Sequence, residues 1–70
     1  MEMKFNMNKR LVVLVLDEIN EKNLPINCIV GKTSKKSSVY MTDVTFSFDD
    51  EVKSVFNDML CRCINEKLLI

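Results

Sequence analysis

The first eight residues, Met-Glu-Met-Lys-Phe-Asn-Met-Asn, alternate apolar and polar positions without a break. A period of two is that of a strand with one buried face, here Met1, Met3, Phe5 and Met7. A run of six apolar residues follows, Leu11-Val12-Val13-Leu14-Val15-Leu16. The pattern predicts a helix that Asn8 caps and that runs to about Asn23, a residue suited to a left-handed C′ position, with Pro25 barring continuation. At about 100° per residue, Leu11, Val12, Val15, Leu16 and Ile19 share one face, which leaves Val13 and Leu14 on the outer side. A buried β-strand is the alternative for this β-branched run. The charges oppose a helix: Lys9 and Arg10 lie at its positive end and Asp17, Glu18 and Glu21 towards its negative end. Glu18 and Lys22, four apart, offset part of that cost.

Ile26 to Gly31 reads as a short strand with Ile26, Cys28 and Val30 on one face. The polar stretch Lys32-Thr33-Ser34-Lys35-Lys36-Ser37-Ser38 reads as a hairpin loop, and Val39 to Phe48 as the returning strand, its core face Tyr40, Val44, Phe46 and Phe48. Ser47 and Asp50 have capping-box spacing and Asp49 is the competing N-cap. In the closing helix Val52, Val55, Phe56, Met59, Leu60 and Cys63 share a face, acids lie at the start and Lys67 near the end. The prediction is one α+β domain over residues 1–70, ordered β-α-β-β-α. It has a small three-stranded, largely antiparallel sheet with two helices packed on one face.

Seventy residues bury only about 60% of the surface the unfolded chain exposes, so a domain of this size gains from association. Formal net charge is zero, which argues against a partner bound mainly by bulk charge, whether nucleic acid or an anionic membrane. The charge is uneven, with four lysines and no acid between Lys22 and Thr42, and six acids against three bases from Asp43 onward. The apolar run is too short to span a bilayer, and Asp17-Glu18 directly after it is unlike a secretory leader. Three cysteines without a leader point to a reducing cytoplasm, a host cytoplasm if the chain is phage-encoded. Eight lysines against two arginines, with seven asparagines, suggest an AT-rich coding sequence of the phage or mobile-element kind.

Catalytic chemistry has little to build on. There is no histidine, hence no imidazole base, nucleophile pairing or imidazole metal ligand. One glycine cannot make a phosphate-cradling loop or a dinucleotide fingerprint. Cys61-Arg62-Cys63 lacks the two-residue spacing of zinc and redox motifs. On a helix it sends Cys63 to the core and Cys61 to the surface, while Cys28 is expected buried. No catalytic residue, cofactor or metal site is expected, and the chain is not read as an enzyme.

Two surfaces remain as candidate binding sites. Val13 and Leu14 on the outer side of the first helix, with Ile29, Val39 and Met41 on the open face of the sheet and Asp43 as a rim charge, form an unpartnered apolar set suited to a protein interface. Two-fold association into a homodimer is the simplest way to cover it, and edge-strand pairing would satisfy the backbone of so small a sheet. Lys32, Lys35 and Lys36 on the hairpin loop are the only basic cluster, a candidate for phosphate contacts to nucleic acid. The element order, with an acidic start to the last helix, resembles that of the DinI-type regulators that bind recombinase filaments. Their last helix is far more acidic than one carrying Lys53, Arg62 and Lys67, so no family and no function is carried over. The expectation is a non-enzymatic protein-binding module, a small inhibitor or regulator, anti-defence proteins being one example, that occludes a larger protein and self-associates. The alternative is a small nucleic-acid-binding protein using the loop lysines.

Overall fold

The computed structural model describes the backbone of residues 1–69 and side chains through Glu66, so Lys67 at the helix end lies outside the described side chains. The order is β1 (Glu2–Asn8), α1 (Lys9–Glu21), β2 (Asn27–Lys36), β3 (Val39–Ser47), a single 3₁₀ turn (Asp50–Val52) and α2 (Lys53–Leu69). The strands form one antiparallel sheet in the order β1-β3-β2. This is the expected α+β class. The apolar run is helical, not a buried strand.

Local chemistry sets both ends of α1. Asn8 is the N-cap, its side-chain oxygen accepting from the Arg10 N–H at 2.8 Å. At the other end Asn23 takes a left-handed φ of 51°. The Leu24 N–H donates to the Ile19 carbonyl at 3.0 Å and the Asn23 N–H to the Asn20 carbonyl at 3.2 Å. Those two bonds are a Schellman motif with Asn in place of glycine, and Leu24, packed against the core, supplies its apolar contact.

Even-numbered residues of β3 and odd-numbered residues of β1 point to the helix side. Met7, Val44, Phe46 and Phe48 join Val12, Val15 and Ile19 of α1, Ile26, and Phe56, Met59 and Cys63 of α2 in one core. Phe56 is its hub, with ring centroids 4.8 Å from Phe48, 5.0 Å from Phe46 and 6.2 Å from Phe5. Such aromatic pairs contribute about 0.5–1.5 kcal/mol each beyond the area they bury. Asp49 holds the N-cap position of the 3₁₀ turn with extended backbone but makes no side-chain capping bond.

Three core assignments change. Val55 is 48% exposed, because the part of α2 that meets the sheet is the Phe56–Met59–Cys63 stripe. Tyr40 has the core-face parity but is 53% exposed, because β2 and β3 run on past the helices. Cys28 is half-buried, on an edge strand only partly covered. Of the six-residue run, only Val13 is exposed. Leu14, expected on the outer side, is half-buried against the core, because α2 packs beside α1 and covers that flank. Among the described residues no helix is long and apolar enough to cross a membrane.

Candidate functional site: a free strand edge and a basic groove

Residues 32–38 are not a seven-residue loop. β2 continues to Lys36, which pairs with Val39, and the turn is Ser37-Ser38 alone, with Ser37 at φ 57°. Lys32, Lys35 and Lys36 therefore lie on a strand. The polar composition that reads as a loop reflects a ladder whose two faces both meet solvent beyond the helices, where no apolar side is needed.

The ladder is interrupted once. Val30 pairs with Val44 and Thr33 with Thr42, so Gly31 and Lys32 together oppose Asp43 in a β-bulge. Glycine suits this point: a Cβ on Gly31 would lie 3.2 Å from the Asp43 carbonyl oxygen. The bulge divides β2 into two stretches. Beyond it lie Lys32, Lys35 and Lys36; before it, Asn27-Cys28-Ile29-Val30-Gly31 carries no charge. β2 is an edge strand, and this uncharged stretch exposes Ile29 at 67% and Val30 at 52%, one on each face. Bulges and lysines are devices that discourage edge pairing, and here they protect only the distal stretch.

The open face of the sheet is more polar than expected. Glu2, Lys4 and Asn6 of β1 lie on it, and Asp43 accepts from the Asn6 side-chain amide at 2.6 Å. Asp43 is thus tied into the sheet. Met41, half-buried between its pairing partners Asn8 and Ser34, is separated from Ile29, and the two form no continuous patch.

Val39 instead belongs to a second surface. A groove of about 590 Å³ opens between the first turn of α1 and the hairpin end, lined by Asn8, Lys9, Arg10, Val13, Ser38, Val39 and Tyr40. The structure brings together Val13 and Val39, both candidates from the sequence, and adds Lys9, Arg10 and Tyr40. Lys35 does not line the groove but stands next to it, its Nζ 5.7 Å from the ring centroid of Tyr40, which does. The basic cluster is thus built from two parts of the chain. Segments 3–16 and 22–42, which converge here, contain no acid. The signal was present in the sequence, where Lys9 and Arg10 in the first turn of the helix count only as charges opposing it; with no acid in that turn they are an electrostatic cost that folding alone does not explain. The other missed residue, Val30, lies on the helix-facing side beside Val44 yet is exposed, on an edge strand that the core covers only as far as Cys28.

The thiols separate as the helical spacing predicts. Cys63 is buried and Cys61 exposed. Burial pushes the Cys63 thiol up, and Glu18 and Glu66 push the same way against Arg62 and Lys22. Burial also raises Cys28. Both shifts disfavour the thiolate, the reactive form of the side chain. No protein-family model, curated protein or solved structure matches this chain.

Proposed function

We propose that this chain is a non-enzymatic protein-binding module, a small inhibitor or regulator of phage or mobile-element type that occludes a surface of a larger protein and assembles as a homodimer through the free edge of β2. The observation that carries the reading is the uncharged stretch Asn27–Gly31, an unpaired strand edge with Ile29 and Val30 exposed on its two faces. A strand edge is self-complementary under a two-fold axis perpendicular to the sheet. Antiparallel pairing of two copies centred on Ile29 joins their sheets, sets Ile29 beside Ile29 on one face, and places Val30 of each copy opposite Cys28 of the other on the second face.

Full burial of an isoleucine or valine contributes about 1.5–3 kcal/mol. Four half-covered side chains, with the new main-chain bonds, stand against an association cost of about 4–15 kcal/mol. The expected result is a reversible dimer with a dissociation constant in the micromolar range. The lysines beyond the bulge would limit pairing to the uncharged stretch and keep the edge from propagating into aggregates.

Sedimentation equilibrium over a range of concentrations tests this. The wild-type chain should approach twice its monomer mass, and Ile29→Lys should remain monomeric with an unchanged circular-dichroism spectrum. A wild-type chain that stays monomeric at millimolar concentration, or an Ile29→Lys variant that dimerises equally well, would refute the edge as the interface.

A further inference from the structure

The groove at the hairpin end combines an apolar floor with a cationic rim, and each part asks something different of a ligand. Val13 and Val39, with the exposed Tyr40, supply apolar surface from a helix and a strand that the core does not use. Lys9 and Arg10 line the α1 side, Lys35 adjoins the hairpin side through its contact with Tyr40, and there is no acid among the lining residues. We infer that this groove receives an acidic segment of a protein partner carrying one bulky apolar side chain. That side chain seats against Val13 and Val39 while flanking carboxylates meet Arg10, Lys9 and Lys35. The inference rests on the protein-binding reading and specifies the chemistry of the partner.

Three observations lead to it. The neutral net charge hides the local field: the molecule is 37 Å long, whereas charges are screened over about 8 Å at physiological salt. The acids of the 3₁₀ turn and of the end of α1 lie towards the opposite end of the sheet, so the groove acts as a separate basic patch. Second, Lys9 and Arg10 sit where the helix dipole disfavours cations. A partner's carboxylates would relieve that repulsion on binding, so the charge is arranged for the complex and not for the free fold. Third, the apolar floor distinguishes a polypeptide from a polyphosphate. Phosphates need cations and donors but no pair of valines, and Lys35 already covers a face of Tyr40, the one aromatic ring that a base could stack on here. Arg10 can also make the bidentate carboxylate contact that fixes an acidic side chain in place.

The probes are a random peptide library displayed on phage and, in parallel, labelled oligothymidylate read by fluorescence anisotropy. Wild-type protein should enrich peptides with one Leu, Ile, Phe or Met among Asp and Glu. The exposed-site variant Arg10→Glu/Lys35→Glu, confirmed as folded by circular dichroism, should lose at least about tenfold in affinity for the selected peptides. Val13→Ser/Val39→Ser should reduce binding of the same peptides while preserving its salt dependence. Failure to enrich acidic peptides, or enrichment that the charge reversal leaves intact, overturns the inference. So does oligothymidylate binding tighter than any selected peptide, which would assign the groove to nucleic acid. Dimerisation involves the other surface and is read by mass, so the two proposals fail separately.

Discussion

The hydroxyls of Thr33 and Thr42 meet 3.1 Å apart across β2 and β3, on the helix side and just beyond the bulge. Among the described residues Thr42 is the one buried polar side chain, at 2% exposure, and Thr33 answers it. The asymmetry of buried hydrogen bonds then dictates a mutational pattern. Thr33→Val alone leaves the Thr42 hydroxyl without its partner and should cost about 1–3 kcal/mol by urea denaturation. Thr33→Val/Thr42→Val removes donor and acceptor together at nearly equal volume and should recover most of that loss. A double variant as unstable as the sum of the singles would show that the two hydroxyls do not interact.

Phe56 ties α2 to the aromatic part of the core. It is fully buried and touches aromatic rings from β1, from β3 and from Phe48 just after it. Phe56→Ala should cost about 3–5 kcal/mol. A domain of 70 residues has roughly 3.5–10 kcal/mol in all. The expected outcome is a chain largely unfolded at 37 °C, seen as lost near-ultraviolet dichroism. Phe56→Leu, which refills most of the volume, should remain folded with a lower urea midpoint.

What could be read from the sequence was local. The parity of β1, the Asn8 cap and the Asn23 stop each depend on residues within one or two turns, and each is present as expected. The separation of Cys61 from Cys63 follows from helix geometry in the same way. The remainder depended on distant partners. Leu14 is covered because α2 returns beside α1, a contact that no periodicity in residues 9–21 encodes. Thr33 and Lys35 are strand residues because β3 pairs with them, although their polarity signals a loop. The groove required the strand order β1-β3-β2, which puts Asn8 opposite Met41 and so carries Lys9 and Arg10 to the hairpin end. Sequence alone left that order open. The apolar surplus read from residues 11–16 is mostly hidden by the chain itself, and the exposed apolar surface lies on β2 and at the hairpin end instead.

Lys9 offers a way to separate folding from binding. It occupies the first position of α1, whose first turn contains no acid and whose last turn contains no base. Lys9→Glu replaces an unfavourable charge at the positive end of the helix with a favourable one, which should stabilise the fold by about 0.3–1 kcal/mol. For a domain of this size that raises the melting temperature by roughly 1–8 °C in differential scanning calorimetry. The same change places a carboxylate on the groove rim and should weaken capture of acidic peptides several-fold. Stability and binding moving in opposite directions would show that Lys9 is retained for the partner. A loss of both would mean that the lysine serves the fold.

Alkaline pH should destabilise the protein through its covered thiols. Burial raises Cys63 above the ordinary thiol value, the carboxylates of Glu18 and Glu66 adding to the effect, and burial raises Cys28 too. In the unfolded chain each of these thiols ionises near pH 8.5. Above that pH the unfolded state has released protons that the folded state still holds, so the slope of stability against pH is negative. Stability attributable to these groups is therefore complete below about pH 8.5 and declines as pH rises from there towards the folded-state values. Urea midpoints under reducing conditions should be level from pH 7 to 8 and fall by pH 9.5. Cys28→Ala/Cys63→Ala should start lower at pH 7, because it leaves space in the core, yet lose the part of the alkaline slope that the thiols contribute. Cys61→Ala, at an exposed position, should retain the wild-type slope. An alkaline slope unchanged in the double variant would assign the pH dependence to groups other than the covered thiols.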